Sequence, residues 1–544
     1  MKRFYFLQNY IILFAIFLNF IFVGNIFAFE LKYSTFLGSN QVDIASTLAV
    51  GDNGGVFVTG STSGTTFPIT SGAMSSSYAG DDSDSFISKF SNDLSTLEYS
   101  TYWGGNDEDA GTGIIVNNSN IVIAGFTRST NFTTFNPIDS TYGGVNDIFI
   151  SKFSISGNNL TFSTYLGGSL SDTPSRILEN QNGDYIIVGQ TMSNDFPIVN
   201  SIYNSFGGFR DAYFLRISND GTNILNSSFL GGNGEDYAYD LAIDNNSNYY
   251  LTGFSNSSNF PTLNAYDSSY NGVNGGRDIF ISKISSNCMN LLFSTYFGGS
   301  DNDIGHSIAL DFSENIYVTG SSLSNNFPII SPVSNNSQGF AIKFTNDGSN
   351  LINSKKIGYI TPTGITQTVK SYVMEILENN DVILIGKKKF FPYGIAFIIL
   401  DSTLNNVKLS SLLTQGNFDL IGQKTCLKNG KMFLTGNTNN SSYSTTSNSY
   451  DESFNGAEDA FVTIFERFSM IEDVNVSLVG NDISLTWNSI PNAINYKIYK
   501  NTLPNYENSN LISTITQNGS TISYTDPNVL QNSNKFYYFV TYTK

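Results

Sequence analysis

One unit recurs seven times along this chain, and the copies are cut out of phase with its ends. The clearest mark of the unit is a strand-like ending. It reads YSTFLG at Tyr33 to Gly38, YSTYWGG at Tyr99 to Gly105, FSTYLGG at Phe162 to Gly168, SSFLGG ending at Gly232 and FSTYFGG ending at Gly299. Weaker copies end at Gly358 and Gly416. The period is roughly 58–67 residues, longer than familiar propeller repeats of about 40–50. A period of this length means a stack or ring of supersecondary units, each needing its neighbours to bury a core.

Four strand-like runs follow one another in each copy. In the first copy these are DIASTLAV from Asp43, VFVTG closing at Gly60, DSFISKF from Asp84 to Phe90, and the marker run itself. The runs are short, rich in β-branched and aromatic residues, and bounded by Gly, Asn, Asp and Ser, which predicts strands and turns. No segment after the N-terminus shows a helical period. In LTFSTYLGG, apolar residues occupy both faces, as a sheet stacked between two others requires. The expected class is all-β, and four antiparallel strands repeated in a ring make a β-propeller blade.

The ends favour a closed ring over an open array. Leu31 to Gly38 is a fourth strand with no first three before it, and Asp459 to Phe465 is a third strand with no fourth after it. Together they complete one blade, giving seven blades and pairing two edges that would otherwise invite aggregation. On these motifs the region from about Leu31 to Phe465 resembles bacterial seven-bladed propeller repeats of the SBBP type. It is weakest between about Ser334 and Thr425, where the Gly-Gly pair and the leading Asp are lost. The resemblance implies the fold and an extracytoplasmic setting, and transfers no catalytic motif.

The first 28 residues read as a secretory signal: Lys2 and Arg3, an apolar run Ile11 to Val23, then small Ala28 before the expected cleavage point. An uncleaved anchor is the alternative, but the run is short for a span of about 20 residues. No membrane span is expected after cleavage. The expected location is therefore secreted or cell-surface. The formal net charge of −18 excludes a nucleic-acid platform, and the basic run Lys387 to Lys389 reads as a solvated loop. Cys288 and Cys426 fall in different blades and are expected to be unpaired thiols. The propeller is bounded at 29–466, and a different pattern occupies 471–544. There Trp487 lies on an early strand, Tyr496 on the next and YYFVT near the end. This segment resembles a fibronectin type III module, an immunoglobulin-like β-sandwich. It stops where a last edge strand usually follows, so the sandwich is expected to be open at one edge or to borrow a strand.

Functional clues are sparse. Second and third strands are joined by segments of about twenty residues, against the usual 2–5 of hairpins. These long loops share one face with the connections from fourth to first strands, and long loops on a rigid scaffold commonly bind. They are expected to lie outside the blade strands and to be replaceable. Phe67, Phe196, Phe260, Phe327 and Phe391, each before Pro, recur in them, as do Tyr78, Tyr142, Phe206, Tyr270 and Phe454. These aromatics either form a carbohydrate-binding face or pin each loop to its blade. Asp43, Asp109, Asp172, Asp236 and Asp303 stand five residues after the first marker glycine, with Asp419 a near match, and Asp84, Asp147, Asp211, Asp278 and Asp459 open third strands. Turn formation accounts for one Asp per blade. The alternative, a carboxylate ring attracting calcium, has no dedicated ligand spacing behind it. His306, the single histidine, stands near Asp303 and could act as a base, yet no nucleophile elbow, metal cluster or phosphate loop accompanies it. No catalytic, cofactor-binding or metal-ligating residue is assigned. The expected function is non-catalytic binding or adhesion to an unknown extracellular protein or glycan through the long-loop face. The alternatives are a polysaccharide-active lyase or hydrolase and a structural envelope component. An enzyme is expected to break the repeat symmetry at polar positions in one sector.

Overall fold

The computed structural model describes residues 27–331, 337–360, 366–388, 394–413, 418–419, 426–470, and 475–543 apart from 480–481, 489–494, 502–509, 517–520 and 527–536. Phe391 and most of the signal-like segment lie outside these residues. The chain divides into two compact units, Leu31–Phe465 and a second containing Glu466–Lys544.

The larger unit is a seven-bladed β-propeller. Blade 1 is the antiparallel sheet Asp43–Val50, Val56–Thr62, Asp84–Phe90 and Leu97–Trp103, in sequence order. Blades 2, 3 and 4 repeat it from Asp109, Asp172 and Asp236, ending at Leu166, Leu230 and Phe297. Blade 5 runs from Asp303 to Ile360 and blade 6 from Thr366 to Leu413. Blade 7 is built from Lys431–Thr438, Asp459–Met470, the short inner pieces Phe418–Asp419 and Cys426–Lys428, and the N-terminal strand Phe27–Leu37 on Asp459–Met470. The ring is thus closed by strand pairing between the two ends of the repeat region. Phe36 and Leu37 are buried in the joint, and Ser34 Oγ lies 2.8 Å from Thr463 Oγ1. Burying each large apolar side chain contributes about 1.5–3 kcal/mol.

First strands of adjacent blades pack on one another and therefore line the ring's axis. Hydrophobic clusters form between blades. Phe57, Ile87 and Trp103 of blade 1 meet Ile121, Ile123 and Phe149 of blade 2, while Val58 and Phe86, on the other side of blade 1, meet Phe433 and Val462 of blade 7. The two-sided apolar pattern of the strands follows from this stacking. Blades 5 and 6 differ from the rest: Gly358–Ile360 pairs with Thr366–Thr368, fusing the two sheets. Lys387 and Lys388 belong to strand Val382–Lys388 rather than to a loop. Cys288 and Cys426 form no disulfide, as expected, and Cys288 is buried.

The second unit holds a three-stranded sheet, Asn475–Val479, Asp482–Asn488 and Thr521–Asp526, and another formed by Asn495–Asn501, Asn510–Thr516 and Tyr537–Thr543. Trp487, Leu485 and Ile522 of one sheet share a core with Tyr496, Ile498 and Val540 of the other. Ser469 and Met470 pair with Tyr542 and Thr541, extending the second sheet by a borrowed segment.

Candidate functional site

The marker sequence YST-x-LGG is a clamp for the long loops. Its Ser pairs with the Ser of the third strand: Ser88 with Ser100 at 2.9 Å, Ser151 with Ser163 at 2.8 Å and Ser282 with Ser294 at 2.8 Å. Its Thr accepts backbone N–H groups of the loop, Ser75 N at 2.9 Å from Thr101 and Asp267 N at 2.9 Å from Thr295. The tyrosine hydroxyl donates back to the loop's start, Tyr102 to Gly64 O at 2.8 Å and Tyr165 to Ser129 O at 2.7 Å. The loop phenylalanines are interior. Phe67, Phe196, Phe260 and Phe327 are 3–4% exposed, and Phe67 packs on Phe86 with centroids 4.6 Å apart. These four phenylalanines therefore pin their loops, while Tyr78, Tyr142, Phe206, Tyr270 and Phe454 are partly exposed. The loops lie outside the blade strands, as expected, yet their phenylalanines are packed into the blade.

The repeated aspartates come together in pairs at five blade junctions. Around the first marker glycine stand the third-strand Asp of one blade and the first-strand Asp of the next. A Cβ placed on Gly104 would lie 2.7 Å from both Asp84 Oδ1 and Asp109 Oδ2, and Gly38, Gly167 and Gly298 are crowded in the same way. Only glycine fits between the two carboxylates. Asp109 Oδ2 accepts from Gly105 N–H at 2.7 Å and Ser129 Oγ at 2.8 Å, and Asp236 and Asp303 repeat the arrangement. In all ten residues the side chain is buried and Oδ1 has no hydrogen-bond partner. Burial pushes their carboxyls upward, Asp84, Asp147, Asp236 and Asp459 to about 6 and Asp109, Asp211 and Asp278 to about 7. The neighbouring carboxylate adds to the rise at Asp109, Asp211 and Asp278. Asp303 is held by Gly299 and Ser324 and not by His306.

A β-bulge interrupts the first strand of each of blades 1 to 6. In blade 4, Ala238 pairs with Gly253 and Asp240 with Thr252, leaving Tyr239 as the extra residue. The same count leaves Ser46, Thr112, Ser175, His306 and Tyr372 extra in blades 1, 2, 3, 5 and 6. The second-strand glycine faces this bulge, where a Cβ on Gly253 would stand 1.8 Å from Tyr237 O. Bulges re-aim side chains, and here the re-aimed residues differ between blades. Small hydroxyl residues in blades 1 to 3 give way to Tyr239, His306 and Tyr372 in blades 4, 5 and 6.

The Tyr239 and His306 rings anchor a cluster on the axis side of the long-loop face. Their centroids lie 5.4 Å apart. Tyr237 stacks on Tyr239 at 4.4 Å and on Phe254 at 6.0 Å. The Arg277 guanidinium lies over Phe254 at 4.1 Å and pairs with Glu235 at 3.2 Å. Arg210 flanks the group through the Arg210–Glu235 bridge. Tyr237, Tyr239, His306, Arg210 and Arg277 are all partly exposed. Burial holds the Tyr239 phenol up at about 12, so it stays protonated and able to donate at neutral pH. Beneath the rings, Asp240 ties three blades. It pairs with Arg176 at 3.0 Å and accepts from Ser307 Oγ and Ile308 N, each at 3.0 Å. Sequence reading singled out His306 alone. Comparing equivalent columns of the copies would have exposed Tyr237 against Ile44, Ala110, Thr173 and Ile304, and Arg210 and Arg277 against Ser83 and Asn146.

A family model described as a β-propeller repeat, SBBP, matches residues 292–328, from the outer strand of blade 4 through the first two strands of blade 5. No curated protein matches the chain. Among solved structures, a protein of unknown function from Dyadobacter fermentans is 12% identical, with a TM-score of 0.37 over 80% of this chain and 99% of that one. An ulvan lyase, a polysaccharide lyase, is 8% identical with a TM-score of 0.42, over 75% of this chain and 93% of that one. A chain of the mitotic checkpoint complex is 6% identical with a TM-score of 0.43, over 80% and 94%. At these identities and TM-scores none of them bears on what this chain does.

Proposed function

We propose that this chain is a non-catalytic binding or adhesion protein, secreted or displayed at the cell surface, whose contact surface is the long-loop face at the inner rim of blades 3 to 5. The observation that carries the reading is the ring cluster of Tyr237, Tyr239, Phe254 and His306, with Arg210 and Arg277, on the rim of blades 3 to 5. The best-formed depressions among the described residues are shallow, one between Val273–Gly276 and Ser300–Asn302. An open rim suits a polymer or a protein surface better than an enclosed small molecule. The second unit, read as fibronectin type III-like, serves as spacer or second contact, and the N-terminal segment directs export. Among the described residues no helix is long and apolar enough to cross a membrane.

The enzyme reading has one observation in its favour, because the rim cluster brings His306 to Tyr239. Against it, glycoside hydrolysis calls for two carboxyl groups flanking the scissile bond. The ten repeated Asp are buried at blade junctions, beyond reach of a polymer. The test is a glycan and matrix-protein array probed with the mature chain and with Tyr237→Ala and Tyr239→Ala. The reading expects a bound ligand whose retention falls at least tenfold in both variants, with no turnover. Polysaccharide cleavage lost on His306→Ala, with folding preserved, would contradict it.

A further inference from the structure

We infer that Arg210 is an anion subsite at the edge of this aromatic rim, and that the ligand is an acidic glycan whose negative group, a carboxylate or a sulfate, seats on its guanidinium. The inference rests on the binding reading of the rim and deepens it.

The argument begins with what the neighbouring cations do. Arg277 is committed, to Glu235 at 3.2 Å and to the Phe254 ring at 4.1 Å. Arg128 is committed to Glu108 at 2.5 Å and donates from Nε to Asn146 Oδ1 at 2.7 Å. Arg210 is different. Its Nε is buried with no hydrogen-bond partner, and among the described residues its side chain makes one polar contact, Nη2 to the Met192 sulfur at 3.9 Å. A thioether is a weak acceptor, so the Nη edge of the guanidinium is left without a strong acceptor, while the buried Nε stays out of a ligand's reach. The nearest acid by backbone pairing, Glu235, is already taken by Arg277.

In a chain of formal net charge −18, an arginine without a carboxylate partner goes against the surrounding composition. A guanidinium presents a planar fork that matches carboxylate or sulfate oxygens. On the strand that follows the Arg210–Glu235 bridge, Tyr237 and Tyr239 are partly exposed residues stacked on each other, and Tyr239 retains its proton as a donor. Aromatic faces accept the C–H side of a pyranose ring, and hydroxyl donors take its oxygens. A ring platform with one free guanidinium at its edge therefore fits a saccharide carrying an anion. Phe209, 62% exposed next to Arg210, supplies further apolar surface on that side.

The experiment measures binding of the mature full chain to polygalacturonate, to dextran sulfate and to unmodified dextran at fixed salt. The inference expects at least one acidic polymer to bind tenfold or more tighter than dextran. The two acidic arms tell carboxylate from sulfate. Arg210→Gln removes the preference, Arg210→Lys restores part of it, and Lys89→Gln, a cation paired with Glu98 away from the rim, leaves it intact. Melting temperatures verify that each variant is folded. Equal binding of acidic and neutral polymers, or a preference that survives Arg210→Gln, overturns the inference while leaving the rim reading in place. Binding of polyglutamate through Arg210 with no polysaccharide bound overturns the glycan assignment. Acidic-polymer binding indifferent to Tyr237→Ala and Tyr239→Ala defeats the rim reading instead.

Discussion

Asp236 and Tyr239 stand three residues apart on one strand and do opposite work. Asp236 recurs in blade after blade, is buried, and ties Ser257 of its own blade to Gly232 at the end of the preceding one. Tyr239 occupies the bulge, is partly exposed, and has Ser46, Thr112, Ser175, His306 and Tyr372 as its counterparts. What repeats in this ring is scaffold, and what varies at the bulge is available for contact. The contrast is physical. A position that must fit a junction tolerates one side chain, whereas a residue left over by a bulge has no cross-strand partner to match and is free to differ.

The largest effect should come from breaking the repeat itself. Deleting Leu31–Leu37 strips the outer strand of blade 7 and exposes the edge of Asp459–Met470. With several large side chains each contributing about 1.5–3 kcal/mol, the loss rivals the whole stability of a domain. The expected result is aggregation in size-exclusion chromatography, and a monomer with unchanged melting would disprove the joint.

Next is the long loop. Replacing Ser61–Ser83 by a short turn removes buried Phe67 and the acceptor of the Tyr102 hydroxyl. The cost expected in denaturant titration is about 3–5 kcal/mol, that of truncating a buried Phe.

A smaller effect is the pH dependence of the junctions. The Asp pairs have folded pKa values raised above the unfolded value of about 3.9, so the folded state binds more protons. Their contribution to stability is full below that value and is lost as pH rises through about 6 to 7. Melting temperature should therefore rise from pH 8 to pH 5, then fall in stronger acid as lowered groups such as Asp93, at about 2, and Asp311 are protonated. Asp109→Asn should flatten the rise, with or without calcium. A calcium-dependent stabilisation abolished at Asp109, Asp172 and Asp236 would make these residues ligands instead.

The fold was legible because a ring writes itself seven times. The strand order, the joint between the ends and the glycine–aspartate spacing all follow from aligning the copies. The long-loop aromatics were ambiguous, since only tertiary contacts distinguish a ring pinned on Phe86 from one offered to solvent. The rim cluster was hidden for another reason. A bulge breaks the period of two that strand reading depends on, so Tyr239 carried no sign of its facing. Lys387 was misplaced in a loop because blade 6 has lost the marker residues that set the phase elsewhere.

The separation of scaffold from contact surface is tested most directly by one paired scan of the mature chain, recording melting temperature and ligand retention for Tyr239→Ala and Asp236→Asn. The account predicts that Tyr239→Ala shifts melting by no more than about 1 kcal/mol equivalent, as for a partly exposed residue, while retention drops at least tenfold. Asp236→Asn should lower or reshape the pH-dependent melting and keep retention. The reverse pattern, retention lost with Asp236 and untouched by Tyr239, would contradict it.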